Sequence, residues 1–401
     1  MLPARWRTPA LIITCACLIL TLSMGVRHTA GLFLQPITQG QGWSREVFSF
    51  AIALQNLVWG LASPFAGAFA DRLGAGRTLV VSALLYLLGL LGMALGGSEA
   101  LFDVSAGLLV GLGLSGTTFA VVMGVVGRHV APARRSLALG VVGAGGSFGQ
   151  FAVLPVGQAL ISAHGWQLAL VFLALGIALI VPLAAALADG PAQVPAGASQ
   201  SPGQALRQAG GERSFHLLFW SYFVCGFQTA FIMLHLPAYL VDAGYSANVG
   251  MTAVALIGLC NVAGSFLFGW WGGLYSKKNL LVAIYALRAV AVLAFLGIPA
   301  GLPGVWLFAA AMGLLWLGTV PLTNGLVAQI FGLRYMSMLS GVVFLGHQLG
   351  SFLGAWLGGR IFDQTGSYGL AWGLVLGLSL VAALLAWPIR EQPLAGQEAR
   401  A

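Results

Sequence analysis

The apolar positions of this chain do not alternate, and they do not fall on one face of a helix. They run on for twenty or more residues and stop at charges, prolines and Gly/Ser clusters. A hydrocarbon layer of ~30 Å takes about 20 helical residues to cross. In that layer each backbone polar group must be satisfied within its own segment or in a closed barrel. Barrel strands would show alternation over segments of about ten residues, so unbroken runs predict helices. Twelve follow: 10–37, 45–70, 78–97, 101–128, 135–162, 166–188, 214–241, 248–273, 279–298, 303–331, 336–361 and 368–388. Between Asp189 and Arg213 the apolar run fails and Pro, Gly, Ala and Gln take over, which predicts a flexible linker. The expected organisation is a six-helix bundle at 1–188, a linker at 189–213, and a second six-helix bundle with a short tail at 214–401.

Composition supports lipid as the main solvent. Of 401 residues, 59% are apolar and 7% charged, against about 25% charged in a soluble domain. Mean hydropathy is +0.93. The first apolar run, from Ala10 to about Phe33, exceeds the ~7–15 residues of a signal-peptide core and lacks a small-residue cleavage pattern. It is read as a retained first span.

Basic residues set the orientation. Fourteen of the eighteen Lys/Arg fall on the side of the two termini: Arg5, Arg7, Arg72, Arg77, Arg128, Arg134, Arg135, Arg207, Arg213, Lys277, Lys278, Arg334, Arg390 and Arg400. Only Arg45 and Arg360 face the other side. By the positive-inside rule both termini and the linker are cytoplasmic. The same asymmetry accounts for the net charge of +8 with no nucleic-acid partner.

The two halves match at an offset of about 201 residues: Gly145, Gly149 and Phe151 against Gly346, Gly350 and Phe352. Parallel six-helix repeats predict two pseudo-symmetric bundles related by an axis along the membrane normal, with a site between them at mid-bilayer. After the second span the chain reads Gly67-Ala-Phe-Ala-Asp71-Arg72-Leu-Gly74-Ala-Gly76-Arg77. This resembles the Gly-x-x-x-Asp-Arg-x-Gly-x-x-Arg signature of the major facilitator superfamily, at the cytoplasmic position that the family requires. The resemblance implies an all-α membrane protein of twelve transmembrane helices, and a conformational latch formed by Gly67, Asp71, Arg72, Gly74 and Arg77. The second copy, Gly269 to Lys278, has Gly273 in place of the acid, so the latch is expected to be asymmetric. Three further segments are similar to the bacterial monocarboxylate-transporter-like and oxalate/formate-antiporter-like branch: Gly42 to Asn56, His235-Leu-Pro-Ala-Tyr239, and Gly346-His347-Gln348-Leu-Gly350. Asn261 and Ser265 stand where the animal monocarboxylate transporters carry an Asp and an Arg one turn apart. The resemblance implies a bacterial-type cytoplasmic (inner) membrane and a monomer.

Ionisable groups inside spans are costly and mark function. The ten acids lie at span ends, in loops or in tails, whereas Arg27, Arg288, His28, His235 and His347 lie within spans. An interior that is basic without its own countercharge suits an anion, and a carboxylate fits the guanidinium fork. Arg27 is on the first helix of its half, where the family lines its cavity. Arg288 has structural pairing with carbonyls or Tyr285 as its alternative. His235 has a backbone carbonyl near Pro237 as its alternative partner. His347, Gln348, Thr118 and Asn56 complete the expected substrate-binding set. No catalytic constellation, metal cluster or cofactor motif is visible: the cysteines lie in apolar runs, and the glycines of 143–149 open no phosphate loop but suit close helix packing. The expected function is secondary transport of a small organic anion, a mono- or dicarboxylate, coupled to protons or a counter-anion, with lipid as the other partner. Efflux of a neutral or hydrophobic compound, or a non-transporting solute sensor, are the alternatives.

Overall fold

The computed structural model describes residues 8–130, 132–188, 202–297, 301–331 and 336–394. Every regular element among them is helical: α1 (Pro9–His28), α2 (Ala30–Gln41), α3 (Arg45–Leu73), α4 (Ala75–Leu95), α5 (Glu99–Phe102), a π-helical segment (Asp103–Leu109), α6 (Val110–Thr117), α7 (Phe119–His129), α8 (Pro132–Ala178), α9 (Ile180–Ala184), α10 (Pro202–Gly210), α11 (Arg213–Asp242), α12 (Ala247–Leu274), α13 (Lys277–Gly297), α14 (Gly301–Leu314), α15 (Thr319–Phe331), α16 (Met336–Thr365) and α17 (Gly369–Ala386).

Among the described residues ten segments are long and apolar enough to cross a membrane. One of them, Gly140–Ala184, is 45 residues long. At 1.5 Å per residue it would be about twice the thickness of the hydrocarbon layer. Its backbone reverses at Gly165, with φ 77° and ψ 169°, a conformation open to glycine, so it makes two spans. With α16, whose His, Gln, Ser and Arg residues dilute its apolar content, the count reaches the expected twelve.

Four expected spans are interrupted, the sixth of them at Leu179 between α8 and α9. The first breaks at Thr29, whose hydroxyl donates to the Val26 carbonyl at 2.7 Å and competes with the helical ladder. The fourth passes through the π-helical turn and breaks again at Thr118, at φ −108° and ψ −160°. The tenth opens between Leu314 and Thr319. The linker also differs from expectation at its end, where α10 buries Ala205 and Ala209 one turn apart.

The described residues group into two compact units. One combines the described parts of Met1–Gln193 with Phe231–Leu259 and Ala355–Gly366; the other combines those of Val194–Ala230, Cys260–Gly354 and Ser367–Ala401. Inside the first unit, α1 packs on α8, and a Cβ on Gly145 would stand 3.0 Å from the Cys17 carbonyl oxygen. Inside the second, a Cβ on Gly346 would stand 3.0 Å from the Phe219 carbonyl oxygen. Gly149 abuts the backbone of Thr21, and Gly350 that of Phe223, in the same register. Tyr86 donates to the Ser23 carbonyl at 3.2 Å, and Tyr285 to the Ser221 carbonyl at 2.8 Å. Ser23 meets Thr117 at 2.8 Å and Cys225 meets Thr319 at 3.3 Å, each pair 94 residues apart. The internal repeat is therefore a repeat of contacts as well as of glycines. Because α16 lies on the α11 backbone at Gly350, Gly350→Leu is expected to cost about 2–3 kcal/mol, the usual overpacking penalty. The readout is the melting temperature of the detergent-purified protein, with an exposed-site Gly377→Leu as control.

The loop after α3 turns at Gly74, with φ 91°, and its N–H closes the helix on the Ala70 carbonyl at 3.0 Å. Gly67 has open space around its Cα, and Arg77 is exposed. The side chains of Asp71 and Arg72 lie outside the described residues.

Candidate substrate site

Two of the interrupted spans meet three of the expected binding residues in the first unit. Arg27 lies in the last turn of α1, where carbonyls of the helix end favour a cation. Its Nη2 donates to Oδ1 of Asn56 at 2.7 Å. Asn56 is itself steadied by its Nδ2, which donates to the Ile52 carbonyl at 3.0 Å. The guanidinium stacks over Trp59, 4.7 Å from the ring centroid. The indole N–H of Trp59 donates to Oγ1 of Thr118 at 3.1 Å, where the fourth span breaks. Thr118 Oγ1 in turn donates to the Leu114 carbonyl at 2.7 Å. Asn56, Trp59 and Thr118 are buried and Arg27 is half-buried. Its Nε is buried without an acceptor, and no carboxylate pairs with it among the described residues. Trp59 was not singled out in the sequence, although its place three residues after Asn56 puts both on one helix face. His28 is buried beside the cluster with Nδ1 unsatisfied.

Arg288, in the second unit, has the opposite character. It is 0% exposed and engaged at every nitrogen. Nε and Nη2 donate to the Leu315 carbonyl at 3.1 and 2.7 Å, and Nη2 also reaches the Trp316 carbonyl. Nη1 donates to Oε1 of Gln228 at 3.0 Å and lies 3.5 Å from Sγ of Cys225. Both carbonyls belong to the interrupted turn after α14, so Arg288 supplies the donors that the broken helix lacks. Asn261 holds the next residue, its Oδ1 accepting from the Leu317 N–H at 3.0 Å and from the Ser265 hydroxyl at 3.1 Å.

The histidines divide likewise. His235, in the first unit, is fully buried, and its Nε2 lies 2.8 Å from the Ala355 carbonyl. His347 and Gln348 are in the second unit. His347 Nδ1 lies 3.1 Å from Oε1 of Gln348, and its ring packs on Tyr222 (centroids 4.8 Å apart) and on Phe344 (5.8 Å).

A charged network in the first unit was not foreseen either. Arg45 forms a bidentate ion pair with Asp242, Nη1 and Nη2 donating to the two carboxylate oxygens at 2.6 and 2.9 Å. Asp363 accepts the backbone N–H groups of Arg45 and Glu46 at 3.2 and 2.5 Å, capping the N-terminus of α3. Glu46 accepts from Arg360 at 3.2 Å and from the Trp356 indole at 3.1 Å. Close by, a cavity of about 150 Å³ is lined by Gly31, Gln35, Pro36, Gln158 and Pro237. The scatter of these acids and bases over distant span ends is the only sequence signal they leave. Partly exposed pairs of this kind contribute up to ~1 kcal/mol each. Asp242→Asn with Asp363→Asn is therefore expected to raise the maleimide reactivity of a cysteine placed at Gln35 roughly tenfold over the same cysteine in the parent.

The sequence matches the Major Facilitator Superfamily profile over residues 15–355 and 218–401. Among curated proteins it is 24% identical over 357 residues to the uncharacterized MFS-type transporter YcxA of Bacillus subtilis, covering 85% of each chain. It is 28% identical over 367 residues to monocarboxylate transporter 11 of Mus musculus, covering 86% of this chain and 79% of that one. It is 23% identical over 376 residues to the oxalate:formate antiporter of Oxalobacter formigenes, covering 91% and 87%. Among solved structures, a D-xylose-proton symporter superposes with a TM-score of 0.75 at 15% identity, covering 96% of this chain and 99% of the other. A bacterial homologue of the human lysosomal transporter Spinster, inward-facing and occupied, gives 0.73 at 16% identity, covering 94% and 96%. With its helical interruptions, its repeated contacts and this breadth of match, the chain is a multi-pass membrane transporter that belongs to the major facilitator superfamily.

Proposed function

We propose that this transporter carries a small organic anion, a mono- or dicarboxylate, across a bacterial-type cytoplasmic membrane. Transport proceeds by alternating access, with both termini cytoplasmic and the sequence halves 1–188 and 214–401 as the moving bodies. The observation that carries this reading is Arg27: a guanidinium at a helix break, held by Asn56 and Trp59, with a buried Nε that has no acceptor. A group so fixed and so incompletely paired is costly in the empty protein. A ligand carboxylate supplies the missing acceptor and the countercharge together. Thr118, tied to the same platform through Trp59, adds a hydroxyl beside it. The relatives that transport monocarboxylates, or exchange oxalate for formate, are consistent with an anion.

The bonds that Arg288 and His235 make to the protein favour positioning roles for both. The loop at Gly67, Asp71, Arg72, Gly74 and Arg77 is assigned to the cytoplasmic latch, and the Arg45–Asp242–Asp363 network to its counterpart on the other face. A thermal-shift screen of the purified protein against formate, acetate, lactate, oxalate and succinate, with choline and glucose as controls, tests the reading. Bound ligand raises the apparent stability by mass action, about 2.7 kcal/mol at a hundred times Kd. A shift with one or more carboxylates is the expected result. A shift only with a cation or apolar amine would overturn it in favour of efflux. Binding of an anion that never crosses a proteoliposome would favour a sensor.

A further inference from the structure

The guanidinium of Arg27 offers Asn56 the nitrogen that a carboxylate would use. An arginine only donates, so the amide turns its oxygen to Nη2, where it lies at 2.7 Å. Both forks with which a guanidinium grips a carboxylate, Nε with Nη2 and Nη1 with Nη2, run through that nitrogen. Arg288 shows the first fork at work in the same chain: its Nε and Nη2 converge on the Leu315 carbonyl at 3.1 and 2.7 Å. In Arg27 the acceptor stands at Nη2 alone, and the neighbouring Nε is buried without one. Oδ1 of Asn56 therefore takes up one oxygen position of a two-point carboxylate contact and leaves the second donor unanswered.

Because Nε is buried, a carboxylate engages that fork only when a neighbour yields. Trp59 is pinned: its indole N–H donates to Thr118 at 3.1 Å, and Thr118 is tied to the Leu114 carbonyl at 2.7 Å. Asn56 can yield without orphaning a backbone group. Its Nδ2 donates to the Ile52 carbonyl at 3.0 Å, four residues back in α3. The helical partner of that carbonyl is the backbone N–H of Asn56, which stays in place when the amide turns. The bond from Arg27 to Asn56 joins a cation to a neutral acceptor. A carboxylate brings an oxygen of the same geometry together with a countercharge, so it makes the stronger bond. A neutral amide or hydroxyl offers Arg27 nothing that Asn56 lacks. It must also be drawn from solution, whereas Asn56 is held at high effective concentration by the chain.

We infer that Asn56 is an internal competitor at the substrate site: its amide oxygen stands in for a carboxylate oxygen, anions displace it, and neutral solutes do not. This rests on the anion reading of Arg27. The test is thermal-shift titration of purified wild type, Asn56→Ala and Asn56→Asp with formate, acetate, lactate, oxalate and succinate, each beside its own amide. The wild type is expected to respond to acids and not to their amides. Asn56→Ala is expected to bind the same acid roughly tenfold more tightly, because a hydrogen bond to a charged group no longer has to be broken. It should also gain a response to the matching amide. Asn56→Asp sets a permanent carboxylate against Arg27 and is expected to bind the acid at least ~10-fold more weakly than the wild type. A residue that only positions Arg27 gives the opposite sign: Asn56→Ala then binds the acid more weakly and ignores the amide. That result, or an unchanged affinity in Asn56→Ala, overturns the inference and leaves the anion reading standing. A response confined to Asn56→Ala supports the inference. Silence towards every acid in the wild type and both variants overturns the anion reading and the competitor with it. The ligand-free melting transition shows whether each variant is folded. If Asn56→Ala has none, Asn56→Asp decides: wild-type affinity for the acid overturns the inference, and its loss supports it.

Discussion

Replacing Arg27 with glutamine is expected to weaken carboxylate binding at least ~30-fold, from the ~2 kcal/mol lower bound for removing one half of a buried charge pair. Glutamine keeps a donor for Asn56 but removes the charge and the Nε–H that has no acceptor. Lysine should restore only part of the loss, because its ammonium is a point donor and cannot reproduce the planar fork stacked on Trp59. The effect on stability runs the other way. The empty protein holds this guanidinium with one side-chain acceptor and an aromatic face. Removing it leaves the melting temperature unchanged or raises it, as at other sites where binding is maintained against stability. Titration of the thermal shift with the carboxylate that gives the largest response in the wild type measures both effects. Undiminished affinity in Arg27→Gln would end the assignment of this residue to the site.

Arg288→Met is expected to do the reverse. The methionine fills part of the volume but leaves the Leu315 and Trp316 carbonyls buried without donors. Each orphaned group costs ~1–3 kcal/mol. A total of about 4 kcal/mol would lower the melting temperature by roughly 8 °C at the ~2 °C per kcal/mol of a large domain. Gln228 also loses its partner at Oε1, though its Nε2 still donates to Ser379 and to the Val375 carbonyl. Lysine should fail nearly as badly, because one ammonium cannot reach Leu315, Trp316 and Gln228 together. The surviving folded fraction should still respond to carboxylates. A wild-type melting temperature in Arg288→Met would show that the turn after α14 stands without it. The signs of the two stability effects separate a cation kept for a ligand from a cation kept for the fold.

The contrast between these arginines shows where reading along the chain stops. Both appear in the sequence as a positive charge inside an apolar run, and the carbonyl pairing of Arg288 could be stated there only as an alternative. The difference lies in the acceptors. The carbonyls of Leu315 and Trp316 are free only because the tenth span opens there; Pro321 in the first turn of α15 suits a helix start, but the apolar run continues through the break and does not say which carbonyls it frees. Asn56 and Thr118 were legible as polar residues in spans, but the indole of Trp59 that joins Thr118 to Arg27 was not. An aromatic residue in a membrane span has a packing role by default, and only its neighbours give it another. The Arg45–Asp242–Asp363 network joins residues nearly two hundred or more positions apart, beyond any periodicity.

What the sequence determined by itself is the class of structure. Lipid cannot hydrogen-bond a bare backbone, so long apolar runs dictate helices, their lengths dictate spans, and Lys/Arg placement supplies the expected orientation. The repeat was legible for the same kind of reason: glycines at a constant offset mark helices that touch, and Gly145 and Gly346 do touch equivalent carbonyls. Tertiary structure alone decided which buried polar atoms are satisfied. Hydrogen bonds are short and directional, so the fate of Arg27 Nε and of the Arg288 fork depends on ångström-scale placement of groups from other helices, which spacing along the chain does not encode.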